Sequence, residues 1–220
     1  MGTEYPKIET LYDRGEGFKV VNSTLRLPEF ALPKRWAVTE KIDGMNIRVC
    51  LEADGTVFYR GKTDNAQLPS KLVAYLLEVL PTAKVQAAFP DREGEPVTIY
   101  SEGYGAGIQK GGIYRPNMAL RIFDVLVGPW WLEPCNVADV AAKLGIPIVP
   151  QLGVIDTLPA SKADLLALLH GGATTIAEGG GGGPAEGVVA RTVPLLLTRK
   201  GERLMWKLKV KDFATQEIKQ

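Results

Sequence analysis

The chain reads as an α+β protein of mainly antiparallel strands with a few helices. Short apolar–polar alternations recur along its length, separated by tight turns. Three other segments carry helical spacing or helix-capping signals. Its 220 residues are 45% hydrophobic, which suits one large domain or one with a small appendage. The expectation is a single domain over 1–220.

Residues 36–41, 45–52 and 56–60 alternate as strands, with Ala53-Asp54-Gly55 as the hairpin turn between the last two. Residues 68–80 place Leu72, Val73, Leu76, Leu77 and Leu80 on one helical stripe, which Pro81 ends. Residues 97–102 and 118–127 are strand-like. Residues 136–144 form a short helix with Asn136 as cap and Gly145 as stop, and 161–169 opens on Ser161 and Asp164, a near capping box. Residues 178–184 hold five glycines after Glu178 and predict a flexible surface loop, either a spacer or a loop that moves over a site. Strands over 186–191 and 203–210 complete the pattern.

The formal net charge is +1, so no global field attracts polyanions and a nucleic-acid surface has to be a local patch. The densest patch is Arg199, Lys200, Arg203, Lys207, Lys209 and Lys211, which by composition alone is an ordinary solvated strand edge. Two distant cysteines, Cys50 and Cys135, argue for a reduced compartment and against a disulfide scaffold, with Cys50 a small core residue. The single histidine, His170, leaves no His-rich metal site and argues against a Ser-His hydrolase. No apolar run reaches membrane-spanning length and no signal-peptide core opens the chain, so a cytoplasmic protein is expected, in a cell or in a virus's host.

The most informative feature is Lys41-Ile42-Asp43-Gly44, a lysine beside a strand with a carboxylate two residues on and a glycine ending the turn. A lysine amine titrates near 10.4, so only about one in a thousand is neutral at pH 7. Burial and neighbouring cations can change that balance, and a neutral amine can attack phosphorus and hold a nucleotide covalently. Lys207 and Lys209, two apart on a strand, point the same way and fit the cationic partners. On spacing alone, Asp43 is equally a turn residue, Glu186 an exposed strand start, and Lys207 with Lys209 a polar strand face.

Four further segments follow in order: Tyr100-Ser101-Glu102-Gly103-Tyr104-Gly105, Arg121-Ile122-Phe123-Asp124, Glu186 to Arg191, and Trp206-Lys207-Leu208-Lys209. With the lysine tetrad they resemble the ordered motifs of the covalent nucleotidyltransferases, the superfamily of ATP-dependent ligases and mRNA capping enzymes. The run from Gly105 through Gln109, Lys110 and Tyr114 is similar to the RNA ligase 2 branch, and Asn46 fits that branch's first motif. The resemblance spans about residues 39–209.

The resemblance implies the nucleotidyltransferase fold, an ATP-grasp-like ligase adenylation domain. Two mainly antiparallel sheets, flanked by helices, would hold the nucleotide between them; related ligases append an OB or helical domain, and none is expected here. It implies an ATP-dependent RNA ligase working through a lysyl-AMP on Lys41. The alternatives are a DNA ligase, a relative with other acceptors, and a non-catalytic nucleic-acid-binding module. Asp43 and Glu186 would hold Mg²⁺ or Mn²⁺, since hard cations take carboxylate oxygens and keep several waters. Lys207 and Lys209 would bind the α-phosphate. Glu40, Ile42, Asn46 and Arg60 would line the nucleotide, Glu102 would accept from a ribose hydroxyl, and Phe123 would stack on adenine. Without the resemblance, Phe123 would be read as core. Arg60, Lys110, Arg199 and Lys200 would meet RNA ends or nicks. The chain would act as a monomer or with a partner chain that grips the substrate.

The glycine-rich 103–112 segment is not a dinucleotide fingerprint, and the chain has no P-loop. Its amides can form an anion-binding concavity beside Lys110 or a flexible hairpin tip. Similarity to the RNA ligase 2 relatives points to the polynucleotide end or the triphosphate.

Overall fold

The computed structural model describes residues 2–109, 111–176 and 182–213. Strands β1 (Glu9–Thr10), β2 (Tyr12–Arg14) and β3 (Val20–Leu25) precede β4 (Trp36–Lys41), β5 (Met45–Leu51) and β6 (Val57–Arg60). Helices α1 (Ser70–Val79) and α2 (Thr82–Ala87) lead into β7 (Val97–Tyr104), β8 (Ala119–Val127) and β9 (Trp130–Trp131). Then come α3 (Pro134–Leu144), β10 (Gln151–Ile155), α4 (Lys162–Leu168), β11 (Gly187–Thr192) and β12 (Met205–Lys209). This is the α+β architecture expected, with two five-stranded sheets and a small β2–β3 ribbon.

The chain divides into two compact units, Met1–Pro6 with Asp43–Val149, and Lys7–Ile42 with Pro150–Gln220. The first holds the antiparallel sheet β6-β5-β7-β8-β9. One face of that sheet buries Ile47, Val49, Ile99, Ile122 and Val125 in a core shared with Leu72 and Leu76 of α1, Val85 of α2, and Val140 and Leu144 of α3. Alternation turns Asn46, Arg48, Tyr100 and Glu102 to the other face. The N-terminal residues cross this second face. Arg48 donates to Gly2 O at 2.8 Å, Tyr100 Oη donates to Thr3 O at 2.8 Å, and the Tyr5 ring packs edge-on to Tyr100.

The second unit holds the sheet β1-β12-β11-β4-β10, parallel only at β1–β12. Trp36, Val38, Val188, Ala190, Trp206 and Leu208 pack with Leu165 and Leu169 on its core face. Thr39, Lys41, Val189, Lys207 and Lys209 therefore lie on the opposite face.

The elements depart from expectation where short-range signals compete. α3 begins two residues early because Pro134, lacking an N–H, suits the first helical position, and Glu133 rather than Asn136 is the cap. Pro81 ends α1 but also opens α2, which was not anticipated. The capping box at Ser161 is complete: its Oγ accepts from Asp164 N at 3.1 Å, and the Asp164 carboxylate accepts from Ser161 N at 2.9 Å. Gly145 adopts φ 59°, the left-handed stop. Most of the predicted glycine loop, 178–181, lies outside the described residues.

Candidate active site

Lys41 is the last residue of β4, and its partner across β11 is Gly187, which also faces Lys209 of β12. Glu186 precedes that glycine. Its carboxylate bridges two ammonium groups: Oε2 lies 2.6 Å from Lys41 Nζ and Oε1 lies 2.5 Å from Lys209 Nζ. Gly187 stands between the two lysines because the strands approach too closely for a side chain. A Cβ there would sit 2.2 Å from Leu208 O. Burial pushes the Glu186 carboxyl up, but Lys41 and then Lys209 outweigh it and hold the group below the ordinary value. Glu186 is thus a partly buried anion stabilised by two charge-assisted bonds.

Lys209 is fixed from behind. Asp212, almost fully buried, accepts from Lys209 N at 2.9 Å and pairs with Arg14 at 2.5 Å. Lys207 lies on the same face of β12, level with Val189 and Thr39. After Lys7 and Arg26, it helps hold the Glu9 carboxyl below its ordinary value. Glu40 turns to the other face and is 1% exposed. Its carboxylate accepts hydrogen bonds from the Thr174 hydroxyl, and from Thr175 N (2.9 Å) and the Thr175 hydroxyl. Ile42 is buried, while Arg199 and Lys200 are exposed at a turn closed by Thr198 N and Glu202 O.

The remaining expected residues belong to the first unit. Asp43 N donates to Tyr114 Oη at 2.9 Å, and Tyr114 is itself buried edge-on to Tyr104. Gly44 has a close-packing reason to be glycine: a Cβ would meet Gly103 O at 2.2 Å. Asn46 pairs across β7 with Glu102, and its Oδ1 is buried without a hydrogen-bond partner among the described residues. Phe123 sits where the β7–β8 register slips, between Ile122 opposite Ser101 and Asp124 opposite Tyr100. Its ring lies 5.1 Å from Tyr5, whose hydroxyl donates to the buried Asp124 carboxylate at 2.8 Å. Arg60 stands opposite Arg48, with its guanidinium 5.7 Å from the Phe58 ring centroid. Lys110 lies outside the described residues.

Of the expected residues, the structure brings Lys41, Glu186 and Lys209 into direct contact in the second unit, and sets Asn46 beside Glu102 in the first. Asp212, Tyr114, Tyr5, Thr174 and Thr175 were not anticipated. Only Asp212 left a local signal, three residues beyond Lys209, where an acidic residue can bond back to the backbone.

For a divalent cation, the carboxylates of Asp43 and Glu186 have the right donor chemistry, since hard cations take carboxylate oxygens. No group of three or more His, Cys, Asp or Glu side chains is gathered among the described residues. No helix among the described residues is long and apolar enough to cross a membrane.

Comparison with known proteins bears on the fold and the family. No curated protein matches the sequence. Among solved structures, a Naegleria gruberi RNA ligase mutant with ATP and Mn aligns at TM-score 0.63 and 15% identity, over 94% of this chain and 64% of that one. Another mutant of that ligase, with AMP and Mn, gives 0.63 and 15% over 93% and 61%. An archaeal ATP-dependent RNA ligase gives 0.58 and 18% over 94% and 48%. The chain thus spans less than two thirds of the structures it matches, and at these identities the likeness establishes the nucleotidyltransferase fold. The RNA ligase family model matches residues 34–209, taking in the lysine tetrad, Glu186 and Lys209. The chain belongs to the RNA ligase family.

Proposed function

We propose that this protein is an ATP-dependent RNA ligase whose nucleophile is Lys41. The observation that carries the reading is the Lys41–Glu186–Lys209 cluster, in which two ammonium groups share one partly buried carboxylate on one face of a sheet. The Lys41 amine attacks the α-phosphorus of ATP, forming a P–N bond as the P–O bond to pyrophosphate breaks. The AMP passes to the 5′-phosphate of an RNA end, freeing the lysine. A 3′-hydroxyl then displaces AMP to form the phosphodiester. Covalent capture splits one difficult displacement into easier ones.

Lys209, and Lys207 beside it on the strand, bind the α-phosphate and stabilise charge developing there. Glu186 holds Lys41 in place before the nucleotide arrives. A divalent cation, when bound by Asp43 and Glu186 oxygens, would neutralise charge on the triphosphate. Glu102 and Phe123 are assigned to the ribose and the base, Asn46 and Arg60 to the nucleotide, and Arg60, Arg199 and Lys200 to the RNA backbone. Glu40 is assigned to the base side of the site through its place next to Lys41, its carboxylate being engaged by the threonine pair.

The test is incubation with α-labelled ATP and with α-labelled GTP, followed by nicked RNA and nicked DNA. Transfer of label from ATP to the protein, and sealing of RNA in preference to DNA, is the expected result. Labelling from GTP, or sealing of DNA alone, would contradict it.

A further inference from the structure

Glu40 is an unusual residue to find fully buried, since a carboxylate loses heavily on leaving water unless its oxygens are satisfied. It sits immediately before Lys41, on the core face of β4. Both oxygens are served by the Thr174-Thr175 segment: the Thr174 hydroxyl on Oε1, and the Thr175 N–H and hydroxyl on Oε2. The Thr174 hydroxyl is oriented in turn, because its oxygen accepts from Ile176 N at 3.1 Å and so directs its hydrogen to Glu40.

The same segment reaches the other side of the cluster. Thr174 N donates to Gly183 O at 2.9 Å, Ala173 bridges to Pro184, and Ala185 N donates to Gly172 O at 2.9 Å. Glu186 follows directly. One short segment thus bonds to the residue before the nucleophile and to the residues before the carboxylate that holds it.

We propose that Thr174 and Thr175 are positioning residues for Lys41, which through the Glu40 carboxylate set the β4 end and Glu186 in mutual register. The inference rests on the reading of Lys41 as nucleophile. A displacement of about 1 Å at a reacting atom can cost on the order of a hundredfold in rate. The threonine hydroxyls therefore act more on the rate of lysine adenylylation than on nucleotide affinity.

The experiment measures single-turnover lysine labelling by ATP over a range of ATP concentrations, with thermal melting in parallel. The variants are Thr174→Val, Thr175→Val, Thr174→Ser and Thr175→Ser. Valine keeps the shape and removes the hydroxyl; serine keeps the hydroxyl. The expected result is a fall in maximal rate of about tenfold or more for the valine variants, with half-saturating ATP changed less than about twofold. The serine variants recover to within about threefold. Thr175 is an exposed residue, so Thr175→Val serves where Thr174→Val fails to fold. Valine variants as fast as the unmodified chain would overturn the inference while leaving the proposed function intact. A rate loss that serine does not recover would overturn it as well. An unmodified chain that takes no label from ATP would overturn the proposed function, and this inference with it.

Discussion

Lys41 and Glu186 are 145 positions apart, yet Lys41 Nζ lies 2.6 Å from Glu186 Oε2. Antiparallel pairing of β4 with β11 brings them together, and the second Glu186 oxygen is taken by Lys209 from β12. The ends of β4 and β12 and the residue before β11 therefore each contribute one charge to a single, partly buried cluster. A carboxylate between two ammoniums leaves the cluster with a net positive charge, the sign a phosphate would meet.

The Glu186 carboxyl is held below its ordinary 4.5 despite burial, which fixes how stability should depend on pH. Its stabilising share is fully present above about 4.5, where the unfolded chain is also ionised, and is lost as pH falls through the lower folded value. Glu186→Gln should therefore be less stable than the unmodified chain at pH 7, with the difference narrowing below about pH 4.5. Denaturant melts of both chains across pH 3–7 check this. A gap that stays constant over that range would show that the pair adds nothing.

Lys209→Met removes one cation and keeps an unbranched side chain. Loss of a group that stabilises developing charge costs about 10²–10³ in rate. Label transfer from ATP should fall by that factor while the fold persists. A variant within about threefold of the parent would remove Lys209 from the chemistry.

Asp212→Asn should act through structure. It weakens the Arg14 pair and the bond to Lys209 N, and breaking a largely buried charged pair costs about 3 kcal/mol. Urea denaturation should show a clear drop in midpoint, with a smaller loss of labelling than Lys209→Met. Unchanged stability would contradict the bracing role.

Gly44→Ala tests why the tetrad ends in glycine. The new Cβ would lie 2.2 Å from Gly103 O, and overpacking of this kind costs about 1–3 kcal/mol. The tetrad and the Glu102–Gly103 strand have to move apart. A melting temperature equal to that of the parent would show that the backbone yields without cost.

Much of this was legible beforehand. The β4 strand lies at the expected 36–41, and β12 falls within the expected 203–210 because Trp206 and Leu208 alternate with Lys207 and Lys209. The lysine pair pointing one way follows from the two-residue period of a strand. Strands β1, β2 and β9 were not legible, being two or three residues long and defined by pairing alone. Neither was the service of Glu40 by Thr174 and Thr175, since 134 residues separate the partners and no local pattern marks them. Phe123 shows a third kind of difficulty. A register slip in β8 re-aims one aromatic in an apolar run, and alternation cannot reveal where a bulge falls.

The most direct test is peptide mapping of the purified chain after incubation with labelled ATP and Mg²⁺ or Mn²⁺ at pH 6–9. The account predicts one AMP on the peptide containing Lys41, and none on Lys41→Ala. Label surviving in Lys41→Ala, or no label on the parent chain under any of these conditions, would contradict it.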